Sequence, residues 1–338
     1  MTVILPPVAH KYEEKIIPPT KSEDGCTRYT CGECGKSYEQ DVVPAIGSQG
    51  LEYALIDGTE NYAVIGIGTC TDTEIVIPQL YKGFPVTSVR SRAFENQTQI
   101  TSVILPKTMV TVQKRAFQGC TGLTEFSFPK SMGYFGDFIF AGCDNLTKIY
   151  FRSQASPYYI SEYWMSGADA LKTIVFDSAY VHRGTVQPDS TVEELIFTEN
   201  VHRIKNDAFV DCVNIKKISF SDGIAIIDQY AFFRCTNLEG SIYLPGTLLS
   251  VGSYSFSDCG ITSFVISKGI KGLGSSVIAR LHELERIYFT GTEEEWNDIN
   301  IGRYNQDLLE VPRFYYSETE PTAEGNFWRY VDGIPTEW

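Results

Sequence analysis

One short segment, Ala-Phe-x-x-Cys, returns along this chain at nearly constant intervals, and no other feature constrains the fold as much. It reads AFQGC at 116–120, IFAGC at 139–143, AFVDC at 208–212, AFFRC at 231–235 and SFSDC at 255–259. Cys120 to Cys143 and Cys212 to Cys235 are each 23 residues, and Cys235 to Cys259 is 24. Self-similarity at a fixed period of this size marks a solenoid. The apolar residues that open successive units are Ile100, Leu123, Leu146, Leu171, Val192, Ile215, Leu238, Ile261 and Leu284, stepping by 23, 23, 25, 21, 23, 23, 23 and 23. The two irregular steps together span two regular ones, so the period survives them. A degenerate earlier copy runs from Asp72 to Gln99.

Each unit opens with a period-two pattern, as in ITSVILP (100–106), LTEFSFP (123–129) and IKKISFS (215–221). This is a short strand, with Val103 and Leu105, Phe126 and Phe128, and Ile218 and Phe220 facing inward. Pro106, Pro129 and Pro245 end strands because proline has no N–H to donate. Val112, Ile204, Ile227 and Val251 form a second apolar station. One unit buries little alone, so the core must be completed by stacked neighbours. Phe117, Phe140, Phe209, Phe232 and Phe256 are then expected in one aromatic column, and the cysteines in a parallel column. In-register cysteines point alike rather than toward one another, so they read as buried thiols, not disulfides.

Residues alternating with the inward ones make two outward columns. The first reads Ser102, Glu125, Lys148, Thr173, Glu194, Lys217, Ser263 and Arg286. The second reads Ile104, Ser127, Tyr150, Val175, Ile196, Ser219, Tyr243, Val265 and Tyr288. The second is apolar for a solvated face, which suits either partner recognition or the ordinary strand preference of β-branched residues.

The pattern L-x-x-[VI]-x-[ILF]-P followed by A-F-x-x-C-x-x-L resembles that of the BspA-type leucine-rich repeat proteins. The likeness covers roughly residues 50–316. It implies a β-rich leucine-rich repeat solenoid with capped ends. The organisation expected is a Cys-containing module over 1–47 and a solenoid over 48–290, opened by a hairpin cap at 48–71. A C-terminal cap over 291–316 and an aromatic hairpin tail over 317–338 follow. Asp57-Gly58 and Asp332-Gly333 supply hairpin turns. Thr292 and Glu295 fit a capping box that carries Trp296 over the last coil.

The N-terminal segment holds Cys26, Cys31 and Cys34 as C-x4-C-x2-C, with His10 as the nearest fourth donor for a single structural zinc. The alternative is a knuckle-shaped hairpin with free thiols or one local disulfide. The segment resembles the short Cys-His modules that often precede such repeats, but Lys21 and Ser48 stand where those modules usually carry a cysteine and a histidine. In the tail, Phe327, Trp328, Tyr330 and Trp338 either pack onto the neighbouring surface or meet a ligand.

The formal net charge of −14 argues against nucleic acid as a partner. No apolar run approaches a transmembrane length, and the first residues lack the basic and apolar regions of a signal peptide. The family resemblance implies a secreted or cell-surface protein, with the cytoplasm as the alternative. The four histidines stand in no G-x-S-x-G, Walker A, H-E-x-x-H or related pattern. The reading is a non-catalytic binding or adhesion module that presents a concave strand face to a protein or glycan. An intracellular scaffold is the alternative, and a hydrolase a remote one. The irregular units between Leu146 and Val192 gather Tyr158, Tyr159, Tyr163 and Trp164 beside Tyr150 and Arg152. With Tyr243 and Tyr288 these are the candidate binding residues, since insertions in solenoids map to loops and Tyr, Trp and Arg dominate hot spots. Trp164 is also a candidate to replace the column phenylalanine and be buried.

Overall fold

The structure, a computed structural model, describes residues 10–152, 159–322 and 324–338. A three-stranded antiparallel sheet, β1 (Tyr12–Ile17), β2 (Gly25–Cys31) and β3 (Ser37–Val43), stands before the repeats. A hairpin of β4 (Glu52–Leu55) and β5 (Tyr62–Gly66) opens the solenoid, and its turn is closed by the Thr59 N–H donating to the Ile56 carbonyl, 3.0 Å.

Each coil then contributes one strand to a front sheet, a two-residue strand to a back sheet and a tight corner. Front strands Glu125–Phe128, Lys148–Phe151, Thr173–Phe176, Glu194–Phe197 and Lys217–Phe220 pair in parallel without a register shift. A second front ladder runs from Glu239–Tyr243 through Gly260–Ile266 and Arg286–Phe289 to Arg313–Tyr316. The back sheet joins Thr111–Val112, Tyr134–Phe135 and Tyr159–Ile160, and separately Tyr180–Val181 through Asn300–Ile301. The residues expected to face inward are buried, except Phe220, which is half-buried.

The aromatic column is present. Phe94 and Phe117 stack at 5.2 Å, Phe209 and Phe232 at 5.1 Å, and Phe232 and Phe256 at 5.2 Å. Spacings near the ~4.8 Å between paired strands mean that each ring fills one coil. All nine cysteines are free. Four of the column thiols have a partner that the sequence did not announce, the carbonyl of the column phenylalanine one coil earlier, whereas Cys212, which follows the irregular coils, faces the Val186 carbonyl at 3.8 Å. Cys120 Sγ donates to Phe94 O at 3.0 Å, Cys143 to Phe117 O at 3.1 Å, Cys235 to Phe209 O at 3.2 Å and Cys259 to Phe232 O at 3.2 Å. Each of these carbonyls also accepts a backbone N–H three residues on, as Phe209 O does from Cys212 N–H at 3.2 Å, so the thiol supplies the second of its two donors. Burial pushes the thiols of Cys120, Cys143, Cys212 and Cys259 up to about 12, which keeps them protonated and donating.

The corners explain the residues flanking Ala-Phe. Arg115 and Gly119 adopt φ of 59° and 72°, Tyr230 and Arg234 58° and 59°, and Tyr254 and Asp258 57° and 59°. Glycine or aspartate relieves the left-handed conformation at some of these positions, and arginine or tyrosine endures it at others.

The last coil closes as expected. Helix α1 (Glu293–Asn297) carries the complete capping box of Thr292 and Glu295, and Trp296 lies buried edge-on to Phe289 at 5.2 Å. The cap is itself a coil, because Asn300–Ile301 and Arg313–Tyr316 continue the back and front sheets.

Candidate functional site

The front face begins with the in-register columns Lys148, Thr173, Glu194, Lys217 and Tyr150, Val175, Ile196, Ser219. In the first column opposite charges neighbour one another, and Lys217 Nζ lies 2.9 Å from Glu194. The second column leaves Ile104 and Tyr243 exposed and Tyr150 and Ile196 half-exposed. Tyr150 lies beneath two cations, Lys148 Nζ at 5.5 Å and the Arg152 guanidinium at 5.4 Å from the ring centre. Arg152 is itself held by Asp177 at 3.2 Å and by Ser127. Burial would raise the Asp177 carboxyl, but donors from Asn200, Thr198 and Arg152 outweigh it and hold the group below the ordinary carboxylate range.

At its C-terminal end the same face is covered by the chain itself. The tail hairpin pairs Phe327–Val331 with Ile334–Glu337, and Asp332 and Gly333 take φ of 50° and 78° in the turn. Trp328 is fully buried over Val265 and Tyr288, 5.4 Å from the Tyr288 ring, and donates its indole N–H to the Phe289 carbonyl at 2.9 Å. Glu337, on the outermost strand, reaches back to Arg286 at 2.8 Å and accepts from the Tyr288 hydroxyl at 3.4 Å. In ladder order that strand is three places from Arg286, or ~14 Å at ordinary strand spacing. These contacts therefore require the hairpin to fold over the front face. Tyr288 is only 8% exposed, which removes it from the free surface on which it was expected.

The aromatics of the irregular coils do not form one site. Tyr150 and Arg152 belong to the front sheet. Tyr159, 58% exposed, lies on the back sheet stacked on Tyr134 at 5.1 Å. Tyr163, 49% exposed, sits at a corner stacked on Phe138 at 5.9 Å. Trp164 is fully buried against Phe128 and Phe135, with its indole N–H on the Thr185 carbonyl at 3.2 Å, so it is core rather than surface. It occupies the alanine position of Ala-Phe-x-x-Cys, with Met165 in the phenylalanine position and Ala168 in that of the thiol. Tyr158 lies outside the described residues.

In the N-terminal module the structure gathers three of the four predicted metal ligands. Donor atoms of His10, Cys31 and Cys34 lie within 4.8 Å of one another. Cys26 is not among them. It shares β2 with Cys31 but stands five residues away, ~16 Å along a strand and on the opposite face. Lys21 and Ser48, at the two positions where ligands are usual, form a latch instead. Lys21 Nζ bonds Asp72 at 2.8 Å and the Glu74 carbonyl at 2.7 Å, and Ser48 Oγ accepts from the Val76 N–H at 2.9 Å. Both tie the module to the first coil.

A parallel solenoid of 23-residue coils, with a phenylalanine column and thiol rungs, defines the chain as a leucine-rich repeat protein, a class that offers extended binding surfaces. The sequence family described as the BspA type leucine rich repeat region matches residues 87–216 and 188–285, in 6 copies. These stretches make up more than half of the chain, and the protein belongs to that family. No curated protein matches it. Similar solved structures include a leucine-rich repeat protein from Bacteroides ovatus, 22% identical over 79% of this chain and 70% of that one, with a TM-score of 0.39. A leucine rich cell surface protein from Faecalibacterium prausnitzii is 16% identical over 75% and 96%, with a TM-score of 0.34. The pneumococcal vaccine antigen PcpA is 16% identical over 81% and 93%, with a TM-score of 0.35. No helix among the described residues is long and apolar enough to cross a membrane.

Proposed function

We propose that the protein is a non-catalytic binding module, on the cell surface or secreted, whose front face docks a protein segment bearing an aromatic side chain. One observation carries this reading: Trp328 of the chain's own tail already lies on Val265 and Tyr288 of the second outward column. Beyond the tail the same column continues through exposed Ile104 and Tyr243 and half-exposed Tyr150 and Ile196. An aromatic hairpin is thus the shape and chemistry that the face accepts, with charged neighbours of both signs to fix its register. A protein is favoured over a glycan because the exposed aromatics of the back sheet and corners stack on one another. Tyr134 covers one face of Tyr159 and Phe138 one face of Tyr163, which halves the ring surface that a sugar could stack on. Tyr159 and Tyr163 are a secondary contact in this proposal.

The test is binding of the full chain to an array of purified extracellular proteins, repeated with Ile196→Glu and Tyr243→Glu on the front face and with Ile226→Glu on the back. Ligands lost with the front substitutions and kept with the back one are those expected. Ligands that survive both front substitutions would place recognition elsewhere. Surface protease shaving of native cells separates an exported protein from an intracellular scaffold.

A further inference from the structure

The His10, Cys31 and Cys34 cluster is independent of the binding face and has the dimensions of a metal site. Strand pairing sets Tyr12 opposite Cys31, so His10 lies just beyond the end of β1, beside the turn that follows β2. That turn is tight. Cys31 N–H donates to the Lys36 carbonyl at 2.8 Å and Gly35 N–H to the Cys31 carbonyl at 2.9 Å, with Gly35 at φ 70°. It swings Cys34 back toward the strand end. His10 Nδ1 then lies 3.4 Å from Cys31 Sγ and 3.4 Å from Cys34 Sγ. Tetrahedral zinc, with Zn–S of about 2.3 Å and Zn–N of about 2.0–2.1 Å, requires an N···S edge of about 3.5 Å.

We propose that this module binds one Zn²⁺ through His10 Nδ1, Cys31 Sγ and Cys34 Sγ, with the fourth tetrahedral position open to water or an added donor. Two thiolates and one imidazole select zinc over magnesium or calcium, and their charge balances that of the ion. Cys34 is exposed, which leaves a path for the ion and for a fourth ligand. Cys26 takes no part.

Cobalt(II) titration of the reduced full-length protein tests the site. The expected result is one equivalent bound, with a thiolate-to-cobalt charge-transfer band and the visible bands of tetrahedral coordination. Cys34→Ser, at an exposed position that leaves the fold intact, should abolish the charge-transfer intensity or sharply reduce it. His10→Ala should shift the visible bands and weaken binding, and Cys26→Ser should change neither stoichiometry nor spectrum. Added imidazole should perturb the bands by entering the open position. No uptake by the reduced protein, full uptake by the Cys34→Ser and His10→Ala variants, or loss of binding in a folded Cys26→Ser variant would overturn the assignment. Indifference to imidazole would overturn the open position.

Discussion

The regular coils and the irregular pair between Leu146 and Val192 solve one packing problem with different residues. Where regular coils follow one another a phenylalanine fills the core and a thiol bonds the carbonyl of the phenylalanine before it, as Cys235 does for Phe209 at 3.2 Å. In the irregular pair Trp164 and Met165 replace Ala-Phe, and Ala168 replaces the thiol. The front sheet passes through this region without a register shift, Lys148 to Thr173 to Glu194. Among the described residues no ladder joins the back strands Tyr159–Ile160 and Tyr180–Val181. A change in unit length is therefore absorbed at the back, while the face that carries the outward columns keeps its order.

The largest effect expected is loss of a core ring. Phe232→Ala in a regular coil and Trp164→Ala in the irregular pair should each cost about 3–5 kcal/mol in chemical denaturation, as large aromatics removed from a packed interior. If Trp164→Ala costs much less than Phe232→Ala, the irregular pair is loosely packed and the two solutions are not equivalent.

Next come the thiol rungs. Cys235→Ala should destabilise by about 1 kcal/mol, because the Phe209 carbonyl keeps the Cys212 N–H but loses its second donor and a small void opens. The converse, Ala168→Cys, should gain up to about 1 kcal/mol by supplying a second donor to the Phe140 carbonyl, which already accepts the Cys143 N–H. A loss on that substitution would mean that Met165 and Trp164 already fill the space. Alkylation should find Cys120, Cys143, Cys212, Cys235 and Cys259 unreactive until the protein unfolds, as buried thiols held far above neutral pH are.

Trp328→Ala should act locally. Hydrogen exchange in residues 327–337 and at Tyr288 should accelerate, while the melting of the solenoid changes little. Global destabilisation would make the tail part of the core rather than an occupant of the face.

The smallest effect is electrostatic. The Asp177 carboxyl is held below its ordinary range in the folded protein. Its contribution is therefore present above the unfolded pKa of about 3.9 and is lost as pH falls through the lower folded value. Asp177→Asn should therefore lower the melting temperature slightly at neutral pH, with the difference from the parent protein vanishing as pH falls through that lower value and shrinking at high salt.

Much of this architecture was legible in the sequence because repetition averages out local ambiguity. The 23-residue step fixed the column of Phe117, Phe140, Phe209, Phe232 and Phe256, the inward strand residues and the terminal capping box. The reason for the cysteines was not legible, since their acceptor lies one coil back and is met only at the corner. Nor were the left-handed corners, where Arg115, Tyr230 and Tyr254 stand without the glycine that would have signalled them. Proximity in sequence misled twice. Cys26 is near Cys31 along the chain but on the wrong face of the strand, and Tyr159 is near Tyr150 and Arg152 but on another sheet. Tyr288 was misread because Trp328, 40 residues later, covers it.

The thiol rung refers only to the coil immediately before it, which bears on how such a chain can change length over generations. Tandem duplication of one 23-residue unit would bring its own donor and find its acceptor already in place. The ends would not register an event in the middle of the array, since the latch of Lys21 and Ser48 engages residues 72–76, and Trp328 packs on Val265, Tyr288 and Phe314. Copy number can therefore lengthen the open stretch of the front face while the two termini are inherited unchanged.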